Sequence, residues 1–502
     1  MKKKNMITTA SETEGRGKRF QGLVVIALVT SFLFAGCSGY NGATQALSNA
    51  WAVGNTAAAV SAANNVVKSG EGKDAVLFRL EQGTVLQANG SLLESIEAFD
   101  AAEEKINEYE AGAKTKVGRE TLALITNLST LPYRGRNYDK VMLNTYKALN
   151  YMALGDEDSA RVELNRVNQR QENAVVENAK RIEEAQEEAK AAANGTLTRD
   201  GKRVESYDVK RAQKSTGVAN AEAELMTGLD AQIIGTYNDY VNPFSVFLDG
   251  VFFAHKGLDA SDFERARKSF QRVSGMSPSP YIEADLAMVE AIIVGQRPDP
   301  VTYVIYSTGS APSRDETRID IPTFIVSNNL SYVGASFPRL VYAHNYTASA
   351  RVMAEGKRYD TSLLCSMDSV ISKDFKNEWP TILTKTLLAS ATKALAQYSI
   401  EKSVGDSLGN SKDNPNNMAA LFALKVGLSL VNAASNQADL RTWKTLPKQF
   451  HYARFATPKS GTATIQVGLN ELPVAIEPGQ VNVILVRSIN STTRPIISQF
   501  TL

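Results

Sequence analysis

The sequence predicts a multidomain chain, a mostly α-helical repeat solenoid followed by an α+β domain that ends in a β-sandwich. Three observations carry this. Small and glycine residues recur at matching offsets within the first 295 positions. The texture then changes at Gly295-Gln-Arg-Pro-Asp-Pro300. From there to the C-terminus, short alternating apolar runs are broken by Pro and Gly. At 502 residues the chain is long enough for two or three cores.

The N-terminus reads as a targeting segment. Basic residues (Lys2, Lys3, Lys4, Arg16, Lys18, Arg19) precede the apolar run from Leu23 to Ala35. That run is short for a hydrocarbon core of ~30 Å but suits the apolar region of a signal peptide. It ends in Leu33-Phe34-Ala35-Gly36-Cys37, which is similar to the lipobox of bacterial lipoprotein precursors, with a bulkier residue than usual at Phe34. The resemblance implies removal of residues 1–36 as a signal peptide and lipidation of Cys37. Two or three acyl chains then give stable membrane anchoring, where one chain alone binds marginally. Ser38 in place of an aspartate implies an outer-membrane position facing the periplasm, and so a cell-envelope location.

Charge and cysteine use narrow the partners. Lys plus Arg number 55 against 53 Asp plus Glu, but residues 1–36 hold six of the former and two of the latter. The remainder has 49 against 51, a net charge of −2, and no long basic stripe, which argues against nucleic acid as the main partner. Cys37 and Cys365 are the only cysteines, so acylation of one leaves no intramolecular disulfide.

Residues 37–295 read as an irregular helical domain. Gly83, Leu86, Gly90, Ser95, Phe99 and Ala102 stand at offsets 0, 3, 7, 12, 16 and 19; Ala148, Tyr151, Gly155, Ala160, Leu164 and Val167 repeat them. Gly250, Phe253 and Gly257, then Ala266, Phe270 and Val273 after four extra residues, make a third copy. These are tetratricopeptide-like offsets: small residues where two helices cross, an aromatic or leucine wedge, and a Gly ending the first helix. The copies are not contiguous, so further helices must lie between them. One such stretch, about 172–227, is Ala-, Glu- and Lys-rich with little apolar stripe, and predicts a projecting, mostly solvated helical hairpin.

Residues 296–502 predict the α+β domain. Strands are expected at Val301–Tyr306, Arg318–Val326, Ala335–Tyr342, Phe450–Ala456, Thr462–Val467 and Val481–Arg487. A helical hairpin at about 374–434 is inserted among them. Asp374-Phe-Lys-Asn-Glu-Trp-Pro-Thr-Ile-Leu-Thr-Lys385, Ala438-Asp-Leu-Arg-Thr-Trp-Lys-Thr-Leu-Pro447 and Tyr146-Lys-Ala-Leu-Asn-Tyr-Met-Ala-Leu-Gly-Asp156 resemble an uncharacterised family of bacterial tetratricopeptide-containing lipoproteins. The likeness covers nearly the whole mature chain and implies a cell-envelope context connected with cell-wall assembly.

Chemistry-bearing motifs are scarce. His255, His344 and His451 have no metal-ligand spacing, and no Cys-x-x-Cys, His-Glu-x-x-His, phosphate-binding loop or dinucleotide fingerprint occurs; no metal or cofactor is expected. Ser390-Ala-Thr-Lys393 with Lys459-Ser-Gly461 resembles two elements of penicillin-recognising enzymes, but no Ser-x-Asn lies between them, and 66 residues between the lysines are too few for the intervening helical lobe. The chain is therefore expected not to be an enzyme. One candidate binding site remains: Trp443 flanked by Arg441 and Lys444, able to stack on a sugar or anchor a partner. Its alternative is that Trp443 plugs the core while Asp439 pairs with Arg441. The expected role is a membrane-anchored scaffold for an envelope protein partner, with glycan binding through the β-domain as the second reading.

Overall fold

The computed structural model describes residues 39–70, 72–115, 129, 131–194, 198–199, 202–203, 208–234, 237–321, 333–408 and 438–502. Cys37 and the expected signal segment, residues 1–36, lie outside the described residues. Two compact units divide at Gln45/Ala46. The described part of the first holds a one-turn helix, α1 (Tyr40–Ala43), with Thr44 Oγ1 donating to Tyr40 O at 2.8 Å. The second, residues 46–502, holds both the helices and the sheets. The change of texture near residue 296 thus marks a change of secondary structure inside one compact unit.

Helices fill the first part of that unit. In order they are α2 (Gln45–Ala52), α3 (Thr56–Lys68), α4 (Ala75–Ala88), α5 (Leu92–Thr115), α6 (Asn137–Leu154) and α7 (Glu157–Ala193). After a two-residue pairing of β1 (Thr198–Arg199) with β2 (Lys202–Arg203) come α8 (Val209–Gln213), α9 (Thr216–Asp230), α10 (Pro243–Lys256), α11 (Ala260–Met276) and α12 (Pro280–Ile293). The repeated offsets fall on three helical hairpins, α4/α5, α6/α7 and α10/α11. Gly83 lies against the Phe99 ring so closely that a Cβ there would stand 2.5 Å from it, and Gly250 meets Phe270 the same way at 2.7 Å. In the middle hairpin the corresponding Ala148 and Leu164 are both fully buried. Gly155 ends α6 at φ +74°, a left-handed conformation that costs residues with a Cβ.

The hairpin expected at 172–227 is not a solvated projection. Helix α7 runs unbroken for 37 residues, and its second half buries Ala174, Asn178, Ala185, Glu188 and Ala192. A long helix, α13 (Met367–Leu408), lies along it, and Asn178 Nδ2 donates to Asn377 O across the seam at 3.2 Å. Ala192, Val209, Leu229, Phe337, Phe375, Trp379 and Leu387 join in one core. The seam is lined by alanines and amides, so no broad apolar stripe marks it in the sequence. Of the hairpin expected at 374–434, the first arm is α13, which starts seven residues earlier than the expected boundary and continues through Pro380. Residues 409–437 lie outside the described residues.

The strands come later in the chain: β3 (Val301–Thr308), β4 (Ser313–Ile321), β5 (Val333–Val341), β6 (Arg351–Ala354), β7 (Lys357–Asp360), β8 (Ser362–Ser366), β9 (Gln449–Ala456), β10 (Thr462–Val467), β11 (Asn470–Ala475), β12 (Asn482–Ser488) and β13 (Ile496–Thr501). They form a five-stranded sheet β13-β12-β3-β9-β8, a four-stranded sheet β11-β10-β6-β7 and the separate hairpin β4-β5. Only β12 and β3 pair in parallel within the five-stranded sheet. Val304, Tyr306, Ala453, Ile484 and Val486 from this sheet share a core with Val352, Ile465, Val467, Leu472 and Val474 from the four-stranded one. Charged β7 and Pro473 on β11 occupy the edges of the smaller sheet, where they discourage further strand pairing. Strands β6, β7, β8, β11 and β13 were absent from the sequence expectation; most are short.

The glycine–aromatic crossings are testable. Gly83→Ala and Gly250→Ala each force a ring to move and should destabilise the chain by ~1–3 kcal/mol. Gly112→Ala, with open space around the new methyl group, should leave the urea midpoint unchanged or raise it.

Candidate functional site

The segment picked out by sequence, Asp439–Pro447, has no regular secondary structure, turns at Lys444-Thr445 and lies across α4 and α6. Its grip on the helices begins with Glu81, the one acidic residue of α4 and fully buried. Its two carboxylate oxygens accept the backbone N–H of Lys444 at 2.6 Å and of Thr445 at 3.2 Å. Arg441 donates to Asp74 and Leu131 O at 2.9 and 2.8 Å and pairs with Asp439 at 2.8 Å, while Arg136 donates to Arg441 O at 2.6 Å.

Trp443 is the anchor. It is 1% exposed, its ring centroid lies 6.0 Å from Phe99 and 5.8 Å from Tyr146, and its Nε1 donates to Thr84 and Thr445 at 3.0 Å each. This corrects the expectation of a binding platform at Arg441, Trp443 and Lys444. A sugar cannot stack on a ring enclosed on both faces, and the Arg441 charge is already neutralised by two aspartates. Lys444 alone of the three is half-exposed, and it lines a cavity of about 230 Å³ with Ser310, Ser313, Tyr342 and Thr442.

The same inner side continues onto α10. Phe244 stacks on Phe450 at 3.9 Å, Phe247 packs on Tyr452 at 4.5 Å, and Thr145 of α6 bonds Ser245 at 2.7 Å. Beneath them Asp285 accepts from Tyr303 at 2.9 Å and Tyr452 at 3.3 Å, with Arg454 Nε 2.7 Å away. Burial pushes the Asp285 carboxyl up to about 7, with Arg454 pulling the other way. His255, 3.1 Å from the Tyr303 hydroxyl, is pushed down to about 4 by burial. Asp285 is fully enclosed, so its role is to tie α12 to the sheet.

The outer side is different. Between α5 and α7, with α6 as its floor, runs an open groove containing two cavities of about 390 and 270 Å³, both lined by Arg166. The first is bounded by Asp100, Tyr151, Asp158 and Val162, the second by Asn107, Gln169, Arg170 and Asn173. The floor is held by Lys147, whose ammonium group meets Asp100, Glu103 and Glu163 at 2.7, 2.9 and 2.8 Å. Burial would raise the Glu103 carboxyl, but Lys147 beside it prevails and holds it below the usual carboxylate range. No sequence motif marks this groove; only the charged residues at helical spacing could have hinted at it.

The remaining sequence candidates are scattered. Ser390 is buried within α13 and Lys459-Ser-Gly461 forms the turn between β9 and β10, where Glu355 accepts the Lys459 N–H at 2.8 Å. His344 is exposed, His451 is buried, and Cys365 is buried with its thiol pushed up to about 12 by burial. Among the described residues no three His, Cys, Asp or Glu side chains gather as a metal site, and no helix is long and apolar enough to cross a membrane. No protein-family model, no curated protein and no solved structure matches the chain.

Two outcomes follow from this geometry. Trp443→Ala should cost about 3–5 kcal/mol of stability, read in urea unfolding, because it empties a closed site. Asp285 binds its proton more tightly folded than unfolded, so its contribution to stability is full below about pH 4. That contribution shrinks as pH rises toward 7 and is level above. Asp285→Asn should flatten this part of the stability–pH profile; an unchanged slope would show that the carboxyl titrates normally.

Proposed function

We propose that the chain is a lipid-anchored scaffold of the bacterial cell envelope. In this reading Cys37 carries the acyl chains, and the three hairpins are tetratricopeptide-like repeats. The two sheets that share a core form a β-sandwich. The protein is held at the outer membrane, facing the periplasm, and recruits a protein partner connected with cell-wall assembly rather than catalysing a reaction.

The observation that carries the docking site is the open α5–α7 groove. Helical-repeat proteins most often receive partners on the side lined by the first helix of each hairpin, and here α4, α6 and α10 are covered by the chain's own Asp439–Ala456. What remains accessible is the outer groove, with two adjoining cavities that share Arg166. Its walls offer carboxylates, guanidinium groups and amides but few apolar surfaces, which suits a polar peptide segment held by hydrogen bonds and ion pairs.

A photo-crosslinking residue at Gln169 or Asn107, expressed at native level, should capture an envelope protein. The same residue at Lys357, on an edge strand of the four-stranded sheet, should not. Equal capture from both positions would remove the groove as the docking site. Cys37→Ser should abolish incorporation of a fatty-acid analogue, and persistent incorporation would overturn the anchor.

A further inference from the structure

The connections within the helical hairpins lie along one edge of the stack, and hydrogen bonds and ion pairs between them establish this. Thr56, just after the α2–α3 turn, donates to Asn89 at the α4–α5 turn at 3.0 Å. Gln87 near the end of α4 donates to Asn150 near the end of α6 at 2.6 Å. Lys256 at the end of α10 pairs with Glu157 at the start of α7 at 2.6 Å, and Arg161 pairs with Asp262 at 2.8 Å. Helix α12 returns antiparallel to α11, its Glu290 within electrostatic reach of Arg267, and so ends at the same edge.

This edge is apolar in a particular way. Among the described residues twelve large hydrophobic side chains are strongly exposed, and six of them stand here: Val53, Leu93, Leu154, Leu258, Ile293 and Val294, each 43–78% exposed. Four of the six sit beside helix-hairpin turns, and the last pair closes α12. Each turn presents an aliphatic tip with polar capping groups beside it, such as Asp156 and Asp259. Separate tips set one helix layer apart do not make a shaped pocket for a protein side chain. They suit a fluid apolar medium into which each can dip independently.

The covalent chain brings such a medium close. Nine residues from Cys37 to Ala46 span at most about 30 Å, and α2 then rises only about 1.5 Å per residue to the turn at Val53. We propose that this turn edge rests on the lipid surface to which Cys37 is attached, orienting the outer groove sideways for its partner. The proposal rests on the lipoprotein reading. The cations between the aliphatic tips, Lys256 and Arg161, are each paired with a carboxylate, and Asp156 and Asp259 add further negative charge, so the surface is suited to neutral rather than anionic lipid.

The test uses the full acylated chain in phosphatidylcholine vesicles containing spin-labelled lipid, with a fluorophore at Leu93→Cys, Leu258→Cys or Val176→Cys. Cys365 is buried and does not compete. Val176 is as exposed as the edge residues but lies about 30 Å along α7 from its N-terminus. Labels at 93 and 258 should be quenched at least about threefold more than the label at 176, with no gain when anionic lipid is added. Equal quenching at all three positions, with acyl chains confirmed on the N-terminal peptide by mass, would overturn this proposal and leave the anchor standing. An unacylated N-terminal peptide would remove the anchor and the proposal together. Shielding of labels 93 and 258 in native membranes but not in pure lipid would show that a protein covers the edge instead, and would also overturn it.

Discussion

One carboxylate joins the beginning of the compact unit to its end. Glu81, inside α4, accepts two consecutive backbone N–H groups from Lys444 and Thr445, more than 360 residues later. A charged side chain in a closed site is costly unless its oxygens are filled, and here two amides fill them. The bond sets the register of the extended segment, and that register places Trp443 between Phe99 and Tyr146 and Arg441 between Asp74 and Asp439. From Lys448 the chain runs directly into β9, the strand that pairs with both β3 and β8. Helices and sheet are thus built around one shared joint, which is why they form a single compact unit.

A second consequence is the polar character of the interior. The hydrogen bonds around Arg136, Asp139 and Arg441 continue toward α13, where Asn137 donates to Asp374 at 3.3 Å. Burial pushes the Asp374 carboxyl well above the carboxylate range, and Glu378 one turn later adds its repulsion. Arg314 lies near Glu378 at 3.8 Å and over the Phe375 ring at 4.9 Å. Such buried charges contribute little net stability against apolar replacements, but breaking one partner leaves the other uncompensated. They therefore make the packing of α13 against α6 and α7 depend on one alignment.

These two constraints shape the functional reading. The side of α4, α6 and α10 covered by the C-terminal part of the chain is fastened by Glu81, Trp443 and the Phe244–Phe450 stack, so it cannot also receive a peptide without losing its core. The outer groove has no such occupant and is floored by Lys147, whose three carboxylate partners hold α5, α6 and α7 at a fixed spacing. A rigid floor with accessible polar walls is the feature on which the proposed docking of a polar peptide segment rests.

By itself the sequence determined the helical-then-strand order, the positions of the three glycine-marked helical hairpins and most long strands. These follow from local periodicity and from glycines whose neighbours can be named: Gly83 against Phe99 and Gly250 against Phe270 are a spacing rule turned into a contact. It also determined that Trp443 and Arg441 mattered, but not which way they faced. Stacking platform and core plug use the same residues, and only Glu81 and Thr84, far away in the chain, decide between them. The tertiary structure likewise decided that α7 is sheathed by α13, because an alanine seam carries no hydrophobic signature until its partner is in place. The five short or edge strands were decided late for a similar reason: four to six residues hold too little pattern, and their conformation comes from the neighbours they pair with.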